Sequence, residues 1–251
     1  MTSHTRSIQP AQIDDPIRAV RVSSASLEPA SILANSHLPA RPVRLDKLQS
    51  RYAQGLKRGI DILVAALVLI AVLPILVLLT LVLWLENGKP FYVQPRIGKG
   101  GRHFRMLKLR SMVADAEQIL TAYLDADPAL KREWALTQKL KNDPRITPIG
   151  RFIRRTSLDE LPQLVNVLKG DMSLVGPRPM LPDQLRFYLH PSAYLAVRPG
   201  LSGLWQVTAR NSDSFEMRAE IDRRYVETLS PQKDLRILLA TFVAVVAATG
   251  H

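Results

Sequence analysis

Cysteine is absent from all 251 residues, which excludes disulfides and thiolate metal sites. The five histidines are scattered without metal-ligand spacing, so they read as structural or surface residues. Aromatic residues make up only 6% of the chain and are not interleaved with the basic stretches, as a stacking platform for nucleic-acid bases requires. Acidic residues are scarce as well: 22 Asp and Glu stand against 34 Lys and Arg, for a formal charge of +12. That excess implies an anionic partner, whether nucleic acid, anionic lipid or a phosphorylated substrate. Hydrophobic residues reach 47%, so disorder throughout is excluded and one sizeable buried core is within reach.

Residues 1–44 lack any sustained apolar period and are rich in Ser, Pro and Ala, which predicts a disordered N-terminal tail. The tail also lacks a basic start running directly into an apolar h-region and cleavage site, so no secretory signal is expected there. From Leu45 the pattern changes. Leu45, Leu48, Tyr52, Leu56 and Gly59 recur near helical spacing among Arg44, Lys47, Arg51, Lys57 and Arg58, predicting a short basic amphipathic helix suited to a membrane surface. Residues 60–85 then form a 26-residue run in which Asp61 is the only charge. As a helix this run is about 39 Å long, more than the roughly 30 Å hydrocarbon core demands.

Two features argue against a plain crossing. Pro74 lies near the middle of the run, where it removes a backbone donor and tends to kink a helix. Basic residues flank both ends, 44–58 on one side and Lys89, Arg96, Lys99, Arg102, Arg105, Lys108 and Arg110 on the other. Positive charge marks the cytoplasmic side, so the pattern favours a re-entrant helix that dips in, turns at Pro74 and returns. An ordinary tilted span with a tolerated proline is the alternative. Residues 45–86 are therefore assigned to the membrane, and 87–251 to a cytoplasmic domain.

In that domain Phe91-Tyr92-Val93 and residues 104–109 read as two strands joined by the turn Gly98-Lys99-Gly100-Gly101, which lacks P-loop spacing. Residues 113–139 read as helix, broken near Asp127-Pro128. A turn-rich segment, 142–150, leads into Arg151, Arg154 and Arg155, whose planar guanidinium forks suit phosphate.

Then comes Ser157-Leu158-Asp159-Glu160-Leu161-Pro162. Pro162 indicates that a helix starts nearby, and Ser157 with Glu160 has the spacing of a capping box, which would make the glutamate structural. Read chemically, a carboxylate at a helix N-terminus beside arginines is held ionised. An ionised Asp159 can attack phosphorus and form an acyl phosphate. Glu160 could then hold a hard, oxygen-seeking Mg2+ that screens the phosphates.

The following stretch, Asn166-Val167-Leu168-Lys169-Gly170-Asp171-Met172-Ser173-Leu174-Val175-Gly176-Pro177-Arg178-Pro179, closely resembles the bacterial sugar transferases. These are the monotopic polyprenol-phosphate phosphoglycosyl transferases that start surface-glycan assembly. The resemblance covers roughly 57–249 in six ordered blocks. They are Lys57-Arg58-Gly59-Ile60-Asp61, Lys108-Leu109-Arg110-Ser111-Met112, the 157–161 dyad segment, Gly176-Pro177-Arg178-Pro179, 198–207 and 222–225. Two departures stand out: Leu73, where the family often has Ser before the proline, and Ala209-Arg210, where it has Gly-Arg.

The resemblance implies a mixed, helix-rich α/β domain resting on the bacterial inner membrane at its cytoplasmic face, with interfacial helices. It implies transfer of a sugar-1-phosphate from a UDP-sugar to undecaprenyl phosphate, with Mg2+, in exopolysaccharide synthesis. By carry-over Asp159 looks like the nucleophile, Glu160 its metal-associated partner, and Arg154, Arg178, Arg198, Lys108 and Arg110 phosphate or nucleotide contacts. A homo-oligomer is compatible with the sequence, which names neither the sugar nor the glycan. The rival class is a membrane-anchored basic protein that binds anionic lipid or nucleic acid; the missing stacking platform counts against nucleic acid. Within the enzyme class the alternative is direct attack by the lipid phosphate, with both carboxylates serving only Mg2+.

Three later features complete the sequence reading. Residues 216–227 mix Phe215, Ile221, Tyr225 and Val226 with charges, as an amphipathic helix would. Residues 235–248 are strongly apolar but too short to span, which predicts packing on the core or in the interface. Trp205 suits either an interface anchor or a core position.

Overall fold

The computed structural model describes residues 43–137, 140, 142–209 and 215–247. All but the last two positions of the expected tail, together with Lys139, Arg210 and the residues after 247, lie outside them. Short 3-10 and wide helical turns at Asp46–Gln49 and Tyr52–Leu56 lead into α1, Lys57–Asn87. This differs from the separate amphipathic helix expected over 45–59. Tyr52 is buried and Leu48 packs against the same core cluster, so that face of the segment is spent on the protein's own core.

Helix α1 contains Pro74 without interruption and ends at Gly88, whose left-handed conformation (φ 67°) is open to glycine at no steric cost. Leu63, Leu67, Ile70, Val77, Leu78 and Leu85 are among the many apolar side chains it exposes. A narrow stripe is shielded, from Asp61 and Ala65 through Leu69, Val72, Leu76 and Leu79 to Leu83. Both ends of this stripe are tied to the rest of the molecule. At the N-terminal end Asp61, only 3% exposed, accepts from Ser173 Oγ at 2.8 Å and from the Leu174 N–H at 3.1 Å. At the C-terminal end Leu83 packs with Leu109 and Ile153, and Thr147 Oγ1 donates to Glu86 at 3.3 Å. The single charge of the apolar run is thus a docking point, held in a buried polar site where its hydrogen bonds are satisfied.

Strands β1 (Phe91–Ile97) and β2 (His103–Leu109) form the expected antiparallel hairpin, with Tyr92 opposite Lys108. Helices α2 (Ala116–Ala126) and α3 (Pro128–Thr137) break at Asp127, as expected of a residue preceding proline. Helix α4 (Pro148–Arg155) is capped by Thr147 Oγ1, which accepts from the Gly150 N–H at 2.9 Å. Helix α5 (Gln163–Lys169) begins directly after Pro162.

The chain then builds a second, parallel pair, β3 (Ser173–Val175) and β4 (Gly200–Ser202), separated by the short helix α6 (Pro191–Ala196). Glycine is required here by close approach. A Cβ on Gly176 would strike the Arg198 carbonyl, and one on Gly200 would strike the Gly176 nitrogen. That contact is the physical content of the Gly-Pro-Arg-Pro and Arg-Pro-Gly-Leu-Ser-Gly segments. Helices α7 (Leu204–Thr208), α8 (Phe215–Glu227) and α9 (Pro231–Val246) follow. Helix α8 buries Ala219, Tyr225 and Val226, and α9 buries Ile237 while exposing Leu235, Leu239, Phe242 and Val243. The result is the mixed, helix-rich architecture expected, with small sheets and one long apolar helix.

Candidate active site

Asp159 and Glu160 sit in a 3-10 turn, Leu158–Glu160, that precedes α5. Ser157 enters the turn in the left-handed region (φ 56°), a costly conformation for a non-glycine residue, and its side chain caps nothing. The capping box expected of Ser157 and Glu160 is therefore not formed. Glu160 instead reaches Lys108, whose Nζ donates to Oε1 at 2.9 Å. The same ammonium lies 3.8 Å from Asp159 Oδ2, and Arg178 Nη2 lies 3.9 Å from Glu160 Oε1. Lys108 thus bridges both carboxylates.

The local sequence explains how these groups converge. The inward face of β2 carries Phe104 and Met106 into the core and continues to Lys108. Asn166 of α5 fastens itself along that strand, accepting from the Leu107 N–H at 3.0 Å and donating to the Arg105 carbonyl at 2.8 Å. These bonds register α5, and the turn before it, against Lys108. On the other side α4 lies against Ser111, so close that a Cβ on Gly150 would collide with the Ser111 carbonyl. That approach lets Arg154 Nε donate to Ser111 Oγ at 2.7 Å, within the electrostatic field of Asp159. Arg178 follows β3, and Arg218 of α8 donates to its carbonyl at 2.6 Å.

Asp159 is 8% exposed, and burial raises its carboxyl above the ordinary range, aided by Glu160 and opposed by Lys108 and Arg154. The expected depression by helix dipole and arginines is reversed because desolvation outweighs the neighbouring cations. The dyad stands in a turn ahead of α5, so it does not occupy the helix's own first turn.

The five basic residues singled out from the sequence divide. Lys108 and Arg178 contact the dyad, and Arg154 stands beside it. Arg110 lies one alternation beyond Lys108, its Nε buried without a partner. Arg198 goes elsewhere: its Nε donates to the Gly170 carbonyl at 2.8 Å. With Arg58, which donates to the Val167 and Leu168 carbonyls, it closes the far end of α5. Sequence reasoning passed over Arg96, Gln163 and Gln206, which line a cleft with Lys108, Glu160 and Arg178. Arg96 is held by Gln94 Oε1 and the Pro179 carbonyl, and burial with Arg178 nearby pushes its guanidinium down to about 10. Gln163 and Gln206 carry no local signal that would have marked them.

Among the described residues no group of three or more His, Asp or Glu could hold a metal by itself. Glu160 offers one carboxylate, and Asp159 a second beside it. That donor set fits Mg2+, which commonly takes one or two carboxylates and completes its shell with phosphate oxygens and water.

A buried acid beside a second acid, under a shared lysine, with the second acid lining a basic cleft, is an arrangement suited to phosphate chemistry. The sequence comparisons agree: a match to the bacterial sugar transferases covers residues 52–248, and the chain belongs to that family. It is 45% identical over 207 residues to the UDP-galactose-lipid carrier transferase of Erwinia amylovora, and 43% over 206 to the undecaprenyl-phosphate galactose phosphotransferase of Salmonella typhimurium. Each alignment covers 82% of this chain and 43% of the relative, so the chain spans less than half the length of these relatives. The exopolysaccharide production protein ExoY of Sinorhizobium fredii is 43% identical over 196 residues, covering 77% of this chain and 87% of that protein.

Proposed function

We propose that this protein transfers a sugar-1-phosphate from a UDP-sugar to undecaprenyl phosphate, releasing UMP, in exopolysaccharide or surface-glycan synthesis. The observation that carries the reading is Lys108 bridging Asp159 and Glu160 beside a cationic cleft, in a chain of this family. In the first step a carboxylate oxygen of Asp159 attacks the β-phosphorus. The bond from that phosphorus to the bridging oxygen breaks, UMP leaves with the bridging oxygen, and a phosphosugar ester remains on Asp159. In the second step an oxygen of the lipid phosphate attacks the same phosphorus and Asp159 departs as a carboxylate.

Lys108 and Arg154 favour the ionised acid that burial disfavours. Arg178 and Arg96 supply positive charge for the diphosphate in the cleft. Glu160 would hold Mg2+, which neutralises charge on the phosphate oxygens.

The membrane disposition follows the same reading. Helix α1 packs on the domain that carries the dyad along its whole shielded stripe, from Asp61 through Val72 and Leu76 to Leu83, which favours the re-entrant disposition, with both ends on one face of the membrane, over a crossing with its ends on opposite faces. The exposed apolar face of α9 then lies in the interface, and the dyad faces the cytoplasm of a bacterium at its inner membrane.

UMP release from a panel of UDP-sugars, with Mg2+ and undecaprenyl phosphate, tests the assignment. Release with at least one donor, abolished by Asp159→Asn, is expected, together with a phosphosugar trapped on Asp159 in single turnover without lipid. Full turnover by Asp159→Asn would remove the nucleophile, and release only when lipid phosphate is present would favour direct transfer.

A further inference from the structure

The charged residues of the cleft account for phosphates, yet the same cleft is also lined by two amides with buried atoms that lack partners. Gln163 is 3% exposed, and its Nε2 has no hydrogen-bond partner. Gln206, on α7, has neither Nε2 nor Oε1 paired, although both atoms are buried. The backbone makes room for this carboxamide: a Cβ on Gly203 would strike the Gln206 Oε1. An unsatisfied buried polar group is costly and calls for an explanation, and in a cleft a ligand that supplies the missing pairs is one.

We infer that Gln206 reads the base of the nucleotide donor, its carboxamide pairing with the imide edge of a uracil ring. The inference rests on the transfer proposed above and deepens it. An imide edge presents a carbonyl oxygen beside an N–H in one plane. A carboxamide presents the complement, an N–H beside a carbonyl oxygen, so one side chain satisfies both groups and is itself fully satisfied. Gln206 is the residue of this cleft in which a donor and an acceptor are orphaned together. Its surroundings suit a flat ring joined to a diphosphate: Pro179 and Leu201 give apolar faces, and Arg96 and Arg178 line the same cleft. Gln163, whose Nε2 is the unpaired atom, lies three positions after Glu160 and lines the same cleft.

The test is binding of UDP and of N3-methyl-UDP to the full chain in detergent, measured without turnover for the wild type and for Gln206→Leu. The N3-methyl group removes the imide donor and blocks the edge while leaving ribose and phosphates intact. The wild type is expected to prefer UDP by about tenfold to a hundredfold, the effect of losing a buried pair. Gln206→Leu is expected to bind both ligands alike, near the wild-type affinity for N3-methyl-UDP.

Equal wild-type affinity for the two ligands would overturn the inference, and that measurement does not depend on how well the variant folds. A Gln206→Leu protein that still discriminates would overturn it too, as would a wild type that binds no UDP. The two readings also fail separately. Discrimination against the methyl group without UMP release from any UDP-sugar would leave base recognition standing and remove the transferase, whereas turnover that tolerates the methyl group would do the reverse.

Discussion

Replacing Lys108 by Met removes the cation that both carboxylates share while keeping the length of the side chain. At 3.8 Å the Lys108–Asp159 attraction is about 4 kcal/mol at an effective dielectric of about 20, an upper bound because the same ammonium also serves Glu160. Burial already raises the Asp159 carboxyl, and Lys108 is the largest influence opposing it. The nucleophile must be ionised, so turnover falls as pH drops through its pKa. Without Lys108 that acid limb moves to higher pH. Half of the Coulombic bound, expressed as a smaller ionised fraction of Asp159, corresponds to about thirtyfold in rate on the acid limb. The assay is UMP release under kcat/KM conditions from pH 5 to 9 for wild type and Lys108→Met. A roughly thirtyfold loss on the acid limb that narrows as pH rises is expected. A loss of equal size at every pH, with the acid limb unmoved, would show that Lys108 acts on the substrate's phosphates alone and refute the shared-cation account.

Gly150→Ala should push α4 away from Ser111 and break the Arg154–Ser111 contact. The expected cost is about 1–3 kcal/mol of stability, read by thermal unfolding in detergent, with at least a tenfold loss of UMP release; wild-type values for both would contradict the close approach. Asp222 of α8, 1% exposed, has its carboxyl pushed up to about 6 by burial, against the opposing effects of Tyr188 and Arg218. Its folded pKa exceeds its unfolded one, so its contribution to stability is full below about pH 4 and is lost as pH rises through about 6, a difference of roughly 3 kcal/mol. Asp222→Asn retains an acceptor for Tyr188 and should abolish that slope; stability profiles of equal steepness across pH 4 to 7 would refute the assignment.

What the sequence made legible was mostly local. The glycine turn between two apolar runs, the break before Pro128 and the helix start after Pro162 are each written within a few residues, and each is found. Relations across the chain were not legible. Lys108 and Glu160 are 52 positions apart, and only the docking of Asn166 on β2 shows that the lysine faces the dyad. Arg198 stands in a strongly patterned segment, yet the pattern reflects the tight β3–β4 pairing, and its guanidinium goes to the Gly170 carbonyl. Ser157 and Glu160 have capping-box spacing, but the left-handed Ser157 and the nearby lysine redirect the glutamate. The rise in the Asp159 pKa was equally hidden, because desolvation depends on what the fold places around the carboxyl.

The clamp at the start of α1 also sets an order of events. Lys57 Nζ donates to Asp234 Oδ2 at 2.6 Å across 177 positions, and Tyr52 donates to the same oxygen across 182. Asp61 finds Ser173 only after 112. At typical synthesis rates of about 5–20 residues per second, Lys57 waits roughly ten to thirty-five seconds for its carboxylate. The most apolar segment therefore emerges from the ribosome well before the residues that latch it in place, and its early fate depends on its own greasy surface or on a chaperone that shields it. Interruption of synthesis between Leu174 and Asp234 leaves a helix held at Asp61 but without its Tyr52 and Lys57 latch.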